Sequence, residues 1–166
     1  RNWVWVYLGN LLGALGMVVL ALAADVQALG NGAVGTTFVN IARAKVMLHP
    51  VAMVGRGILC NVLVCLAVWL CLAARTVTDK ILAILFPISA FVACGFEHSI
   101  ANMFFLPMGL ALDATHDPIL SLGGALMNLL LVTLGNLFGG TVLVGLVYWF
   151  VYLRPGVTPA TSSDPH

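Results

Sequence analysis

The chain has 166 residues, of which 61% are hydrophobic and 8% are charged, and its mean hydropathy is +1.07. This composition lies outside the range of soluble globular domains and predicts an integral membrane protein in contact with a lipid bilayer. Seven Lys and Arg residues against six Asp and Glu residues give a net charge of +1, which excludes the basic surface that binding to nucleic acid requires. The four cysteines lie in apolar stretches without a CxxC or His-spaced pattern, so they are expected to pack in the core, with no metal site and no cofactor.

Four apolar segments are long enough to cross a bilayer, since a crossing helix needs about 20 residues. They are residues 3–24, 51–74, 81–112 and 122–153. Between the first two, residues 25–50 are too polar to cross and too apolar for a plain linker. We expect a short interfacial or re-entrant helix there, at about residues 34–48.

The ends of the chain and the charges near the segment ends suggest an orientation. The opening RNWVWVYLGN begins with Arg and lacks the features of a signal peptide, so the chain is expected to begin inside a longer protein. In a four-span arrangement most basic residues fall on one side: Arg1, Arg75, Lys80 and Arg154 against Arg43 and Lys45. The positive-inside rule then places the transmembrane domain, residues 1–153, with both ends in the cytoplasm. The Pro/Ser/Thr-rich tail, residues 154–166, is expected to be disordered.

Two segments of the chain are similar to each other. YLGNLLGALG at 7–16 matches TLGNLFGGTV at 133–142, and the two would cross the bilayer in opposite directions. This is typical of an inverted repeat, in which substrate sites form at the midplane from discontinuous helices. The alternative is a shared packing motif, since each segment also contains a GxxxG spacing.

The third apolar segment is interrupted by polar residues. As one helix, residues 81–112 would be about 48 Å long, well beyond the ~30 Å hydrocarbon core. The stretch GFEHSIANMFFLP at 95–107 places four polar side chains in six consecutive positions. The sequence therefore predicts two half-helices, 81–94 and 103–112, separated by an irregular loop at 95–102 that borders a cavity.

The residues of this loop suggest separate roles. Gly95 gives the backbone freedom to turn, and Ser99 or Asn102 can cap the second half-helix, whose positive N-terminal end favours an anion. Glu97 is expected to accept backbone N–H bonds and hold the loop. His98 is ionisable near mid-membrane, which is typical of a substrate or proton path, although a structural hydrogen bond to a carbonyl is the alternative.

Two further polar residues lie in apolar surroundings. Lys45 falls in the expected re-entrant stretch and Asn136 inside the last span. A buried lysine needs a partner and an intramembrane asparagine needs hydrogen bonds. Either residue could line a path, or Lys45 could extend to lipid headgroups while Asn136 bonds a neighbouring helix.

Several of these motifs resemble one known family. GFEHSIANMFFLP resembles the formate/nitrite transporter family, as do NVLVCLAVWL at 61–70, the LGN segments and VGLVYWFVYLR at 144–154. FEHSIANMF is closer to the formate channels than to the nitrite channels. The resemblance implies an all-α membrane protein that forms a homopentamer of six-span protomers, each an aquaporin-like inverted-repeat helical bundle with a broken pore-lining helix. The chain would be a fragment of such a protomer, its third to sixth spans, with missing N-terminal spans needed for a complete pore.

The resemblance also implies roles for individual residues. His98 would be the central pore histidine, and Phe91 would belong to the constriction on the cytoplasmic side. Lys45 and Asn136 would form an electropositive pair near the periplasmic mouth. The implied function is a channel of the bacterial inner membrane, not an enzyme, which passes formate and related small monovalent anions and whose histidine protonates the permeant.

Alternative functions remain open at this point. A nitrite or hydrosulfide channel of the same family would share these motifs. A haem-binding respiratory membrane subunit would need paired axial histidines on facing spans, but His49 and His116 fall at the ends of apolar segments. An intramembrane hydrolase is disfavoured because the sequence contains neither HExxH nor GxSxG.

Overall fold

The fold is a bundle of helices, seen in a computed structural model that describes residues 2–153. The helices are α1 (Asn2–Ala23), α2 (Ala33–Val46), α3 (Pro50–Ala73), α4 (Val77–Ala93), α5 (Ser99–Leu112) and α6 (Leu122–Leu153), with a 3₁₀ turn at Val26–Ala28. Much of α6 beyond Gly139 has π-helical hydrogen bonding. The all-α class predicted from the sequence is confirmed. Arg1 and the tail 154–166, expected in the cytoplasm, lie outside the described residues.

Within the described part of the chain, three helices are long and apolar enough to cross a membrane: α1, α3 and α6. Helices α4 and α5 have 17 and 14 residues, which is about 26 Å and 21 Å at 1.5 Å per residue. Neither alone spans a ~30 Å core, so the two together form one interrupted crossing. The outer surfaces of the bundle are apolar, with Leu12, Leu72 and Phe86 exposing 70%, 80% and 70% of their area, which suits lipid or neighbouring helices rather than water.

Helix α4 begins earlier than the sequence predicted, at Val77 and not at residue 81. The reason is a capping box: the Thr76 hydroxyl accepts a hydrogen bond from the Asp79 backbone N–H, and the Asp79 carboxylate accepts one from the Thr76 N–H, both at 3.1 Å. Such reciprocal bonds satisfy two N–H groups that a helix start otherwise leaves unpaired. The hydropathy pattern excluded this polar first turn from the span.

Helices α3 and α6 pack closely and run in the same direction. A Cβ atom at Gly135 would collide with the Val54 carbonyl, and one at Gly139 would collide with the Ile58 carbonyl. Both positions therefore need glycine, because the facing backbone leaves no room for a side chain. In the first LGN segment, by contrast, a Cβ at Gly9 would meet nothing within 4 Å among the described residues.

The two LGN glycines are therefore expected to respond differently to the same substitution. Gly135→Ala should lower the free energy of unfolding by about 1–3 kcal/mol, because the added methyl forces α6 away from α3. Gly9→Ala is the matched control and should be neutral or slightly stabilising, since alanine favours helix. Thermal unfolding of the intact protein in detergent measures both. Equal effects at the two positions would contradict the close α3–α6 contact.

Helix α2 lies antiparallel against α5 and ends beside the break between α4 and α5. Ala42 of α2 and Leu106 of α5 are fully buried in one apolar cluster with Leu120 and Ala125. The loop after α5 is held in place by Asp113. Its carboxylate accepts hydrogen bonds from the Thr115 hydroxyl at 2.6 Å, the Thr115 N–H at 3.1 Å and the Asp117 N–H at 2.8 Å.

These contacts fix the loop that follows α5. The hydrogen bonds, chiefly that from the Thr115 hydroxyl, lower the pKa of Asp113, so its carboxylate stays ionised to lower pH than usual. Arg43 of α2 forms an ion pair with Asp117 at 2.7 Å. Together they hold α2 so that Lys45, near its C-terminal end, faces the α4–α5 break.

Candidate functional site

The break between α4 and α5 is formed by residues 94–98. The Gly95 N–H donates to the Val92 carbonyl at 3.1 Å and the Phe96 N–H to the Phe91 carbonyl at 3.0 Å. This is the Schellman pattern, which ends a helix with a residue of positive φ. Gly95 has a φ of +63°, a conformation that costs glycine little. The predicted role of Gly95 as the turning point therefore has a defined backbone geometry.

Helix α5 begins at Ser99, four residues before the predicted start at 103. Its cap is His98, whose Nδ1 accepts a hydrogen bond from the Ala101 N–H at 3.3 Å. The expectation that Ser99 or Asn102 caps this helix is wrong, since both lie inside its first turn. The irregular loop is accordingly shorter than the predicted 95–102.

The cap determines which nitrogen of His98 carries a proton. Because Nδ1 accepts from a backbone N–H, the neutral imidazole carries its proton on Nε2. The ring stacks against Phe91 of α4, with centroids 6.1 Å apart and planes inclined by 29°. Thus the structure brings His98 and Phe91 together at the break, with Nε2 as the nitrogen that remains for another partner.

A closed circuit of hydrogen bonds surrounds the buried Glu97 carboxylate. The Lys45 ammonium donates to Glu97 Oε1 at 3.0 Å, and Asn102 Nδ2 donates to Glu97 Oε2 at 2.6 Å. The same Asn102 nitrogen donates to Asn128 Oδ1 at 2.8 Å. Asn128 Nδ2 closes the circuit by donating to the Lys45 backbone carbonyl at 3.0 Å.

The direction of each bond in this circuit follows from its fixed ends. The Lys45 carbonyl can only accept, so Asn128 must present its amide N–H₂ there and its oxygen to Asn102. Asn102 then presents its own N–H₂ to Glu97, and the Lys45 ammonium can only donate. Glu97 therefore accepts at both oxygens, and its carboxylate forms an ion pair with the Lys45 ammonium, which leaves the pair electrically balanced.

This geometry corrects the predicted role of Glu97. Its side chain is 4% exposed and accepts from side chains, whereas backbone N–H donors were expected. Glu97 still holds the loop, but it does so by joining α2, α5 and α6. The Lys45 side chain is 15% exposed and forms its ion pair with Glu97. Its Nζ lies 6.0 Å from the Phe105 ring centroid.

Asn136 connects the break between α4 and α5 to the two long parallel helices, α3 and α6. Its Oδ1 accepts from the Ser99 N–H at 2.9 Å, and its Nδ2 donates to the carbonyls of Gly57 at 2.8 Å and Glu97 at 2.9 Å. Asn61 of α3 donates in turn to the Asn136 carbonyl at 2.6 Å. The predicted residues Lys45 and Asn136 thus meet at Glu97, one through its carboxylate and one through its backbone.

The N-terminal N–H groups of α5 are partly occupied. The Ser99 N–H is bonded to Asn136 and the Ala101 N–H to His98, although the sequence suggested that these groups would face a permeant anion. The helix dipole still makes this end positive. The Ser99 and Ala101 amides themselves are already bonded and do not offer these N–H groups to an anion.

Sequence reasoning missed two polar residues of the site. Asn128 is fully buried and lies eight residues before Asn136 on α6, a spacing that places both on one helix face. That spacing was a usable signal. The other is Arg56 of α3, whose carbonyl accepts from the Glu97 N–H at 3.4 Å.

Among residues 2–153, no three His, Cys, Asp or Glu side chains come close enough to hold a metal ion.

These features define a class of protein. Non-helical backbone at membrane depth is tolerated where protein or a water-filled path surrounds it, and discontinuous helices of this kind build substrate sites in channels and transporters. Residues 1–150 match the sequence model of the family described as Formate/nitrite transporter. The chain belongs to the formate/nitrite transporter family, as its motifs predicted.

Individual relatives agree with this assignment. The formate channel FocA of Escherichia coli strain K12 is 41% identical over 93% of this chain and 59% of its own length. The nitrite transporter NirC of Salmonella typhimurium is 38% identical over 87% of this chain and 52% of its own length. These relatives are channels and transporters rather than enzymes.

A solved structure described as a pentameric formate channel with formate bound superposes with a TM-score of 0.86 at 37% identity, covering 93% of this chain and 66% of that one. This likeness confirms the predicted helical-bundle fold. The chain spans between about half and two thirds of the length of the relatives named here.

Proposed function

We propose that the intact protein is a channel that passes formate and related small monovalent anions across the bacterial inner membrane, and that His98 protonates the permeant. The observation that carries this proposal is the position of His98. It lies at the break in the pore helix, is fixed through Nδ1 as the cap of α5 and stacks on Phe91. Its Nε2 is thereby directed away from the cap as a site for proton exchange.

The chemistry of this step follows from the penalty for moving an ion out of water. A bare carboxylate cannot cross an apolar constriction cheaply, because its lost hydration far exceeds what a few hydrogen bonds return. An approaching anion favours the imidazolium form of His98, which forms when Nδ1 takes up a proton from hydronium and gives up its hydrogen bond from the Ala101 N–H. The imidazolium then gives its Nε2 proton to a formate oxygen, which leaves a neutral ring protonated on Nδ1, and neutral formic acid passes Phe91. Uptake of a proton at Nε2 and loss of the Nδ1 proton to water restore the form of the ring that caps α5.

The other polar residues support this step. Lys45 and Asn136 both bond Glu97, and we propose that they border the pore mouth. Because Glu97 balances the charge of Lys45, the pair contributes hydrogen-bond donors there rather than a net positive charge. We propose that Ser99 and Asn102 also line the pore. The Ser99 N–H is bonded to Asn136, and the Asn102 amide is bonded to Glu97. We further propose a homopentamer of six-span protomers with the C-terminus in the cytoplasm, supported by the similar pentameric channel and by the positive-inside rule.

Transport by the intact protein in liposomes tests the function. We expect uptake of labelled formate above that of protein-free liposomes and no uptake of divalent sulfate, since His98 can neutralise one charge. Purified protein should show no haem Soret band. Nitrite and hydrosulfide, measured in the same vesicles, test the alternative permeants, because the nitrite transporter is nearly as similar as the formate channel. Nitrite uptake without formate uptake would contradict the proposed preference.

A further inference from the structure

Arg56 is the one charged residue of α3, and it lies beside the break in the pore helix. The rest of that 24-residue helix carries no charged side chain. Its guanidinium Nη1 donates to the Gly95 carbonyl at 3.4 Å, and its own carbonyl accepts from the Glu97 N–H at 3.4 Å. A charge within a spanning helix is expensive and usually belongs to a substrate or ion path. The residue is nevertheless exposed on the surface of the described bundle.

The other charges around the break are paired with one another among the described residues 2–153. Lys45 is balanced by Glu97, and Arg43 by Asp117. Both Glu97 oxygens are already occupied by Lys45 and Asn102. Within residues 2–153, Arg56 forms no ion pair, and its guanidinium lies against the Gly95 carbonyl, in the same break that His98 ends.

We propose that Arg56 is a specificity-determining residue, whose permanent positive charge draws small anions to the break before they meet His98. This inference rests on the proposed function and adds a residue to it. A fixed charge bordering a low-dielectric path can raise the local concentration of an opposite charge by about tenfold or more. Since a guanidinium stays protonated at all accessible pH values, this attraction persists where His98 is neutral.

A purely structural role for Arg56 makes a different prediction. Its bond to the Gly95 carbonyl also satisfies the C-terminal end of α4, and a cation there interacts favourably with the helix dipole. Glutamine can keep a hydrogen-bond donor but has no charge, whereas lysine keeps the charge without the planar guanidinium. The two substitutions therefore separate the charge from the hydrogen bond.

The test compares Arg56→Gln and Arg56→Lys in the intact protein, with Arg75→Gln in the α3–α4 connection as the matched control. Formate flux into liposomes should fall about tenfold in Arg56→Gln and stay close to the wild-type rate in Arg56→Lys and Arg75→Gln. Unfolding temperature and size-exclusion profile report whether each variant is folded. Wild-type flux in Arg56→Gln, or an equal loss in both Arg56 variants, would overturn the charge role.

A second measurement does not depend on transport. Sodium formate should raise the unfolding temperature of wild type and Arg56→Lys more than sodium gluconate, the salt of a much larger anion, at equal ionic strength, because a ligand that binds the folded state stabilises it. Arg56→Gln should lose this difference. If the wild type passes no formate but keeps the charge-dependent shift, the proposed channel function fails while the anion site stands. If the shift is the same in Arg56→Gln, the site is overturned.

Discussion

Replacing Lys45 with methionine is expected to lower the free energy of unfolding by about 3–5 kcal/mol, because it leaves a buried carboxylate without its counterion. Glu97 is 4% exposed on its side chain and would keep only the hydrogen bond from Asn102 among its side-chain donors. The protein should therefore unfold at a markedly lower temperature in detergent.

A double substitution tests whether the unpaired charge is the cause. Lys45→Met combined with Glu97→Gln removes both charges while an amide oxygen can still accept from Asn102, so most of the lost stability should return. Lys80→Met serves as the control, since Lys80 is exposed at the start of α4 and should change little. A double variant no more stable than Lys45→Met alone would show that the ion pair does not account for the loss.

Substitutions at His98 are expected to have the largest effect on flux. His98→Phe removes the acceptor that caps α5, at about 1 kcal/mol, and places an apolar ring beside Phe91 where the permeant needs a polar partner. Formate flux in liposomes should fall by at least about tenfold. His98→Asn should stay open, because asparagine is a favourable cap residue and supplies a hydrogen-bond donor.

The matched control for these variants is His116→Asn. His116 lies in the exposed α5–α6 connection with a φ of +49°, a conformation that asparagine tolerates. Its flux should equal that of the wild type. A His98→Phe variant that is folded and conducts at the wild-type rate would remove His98 from the permeation path.

The class of fold could be predicted from the sequence because hydropathy and length determine which segments can cross a bilayer. The break was also predictable, since residues 81–112 are too long for one crossing and contain Gly95. The exact limits of the break could not be predicted from the sequence. Rules for helix starts favour serine and asparagine as caps, but Ser99 and Asn102 already lie in the first turn of α5. The bond from the Ala101 N–H is accepted by His98 instead.

The partners of the site residues could not be predicted in the same way. Lys45 and Glu97 are 52 residues apart in sequence, and Ser99 and Asn136 are 37 apart. The high free-energy penalty of burying each group was evident from its surroundings, but only the three-dimensional packing of α2, α5 and α6 determines which groups meet. The role of Arg56 in the site was not predicted, because one arginine barely lowers the mean hydropathy of α3.

The pH dependence of formate flux tests the central claim, that His98 transfers a proton to the permeant, most directly. Flux should be measured in liposomes across the range in which histidine titrates, for the wild type and for His98→Asn, with the assembly checked by size exclusion. The wild-type flux should change with pH because imidazolium supplies the proton, and the asparagine variant should lose this dependence while retaining an anion leak. The same pH profile in both proteins would contradict the claim and leave His98 as a structural cap.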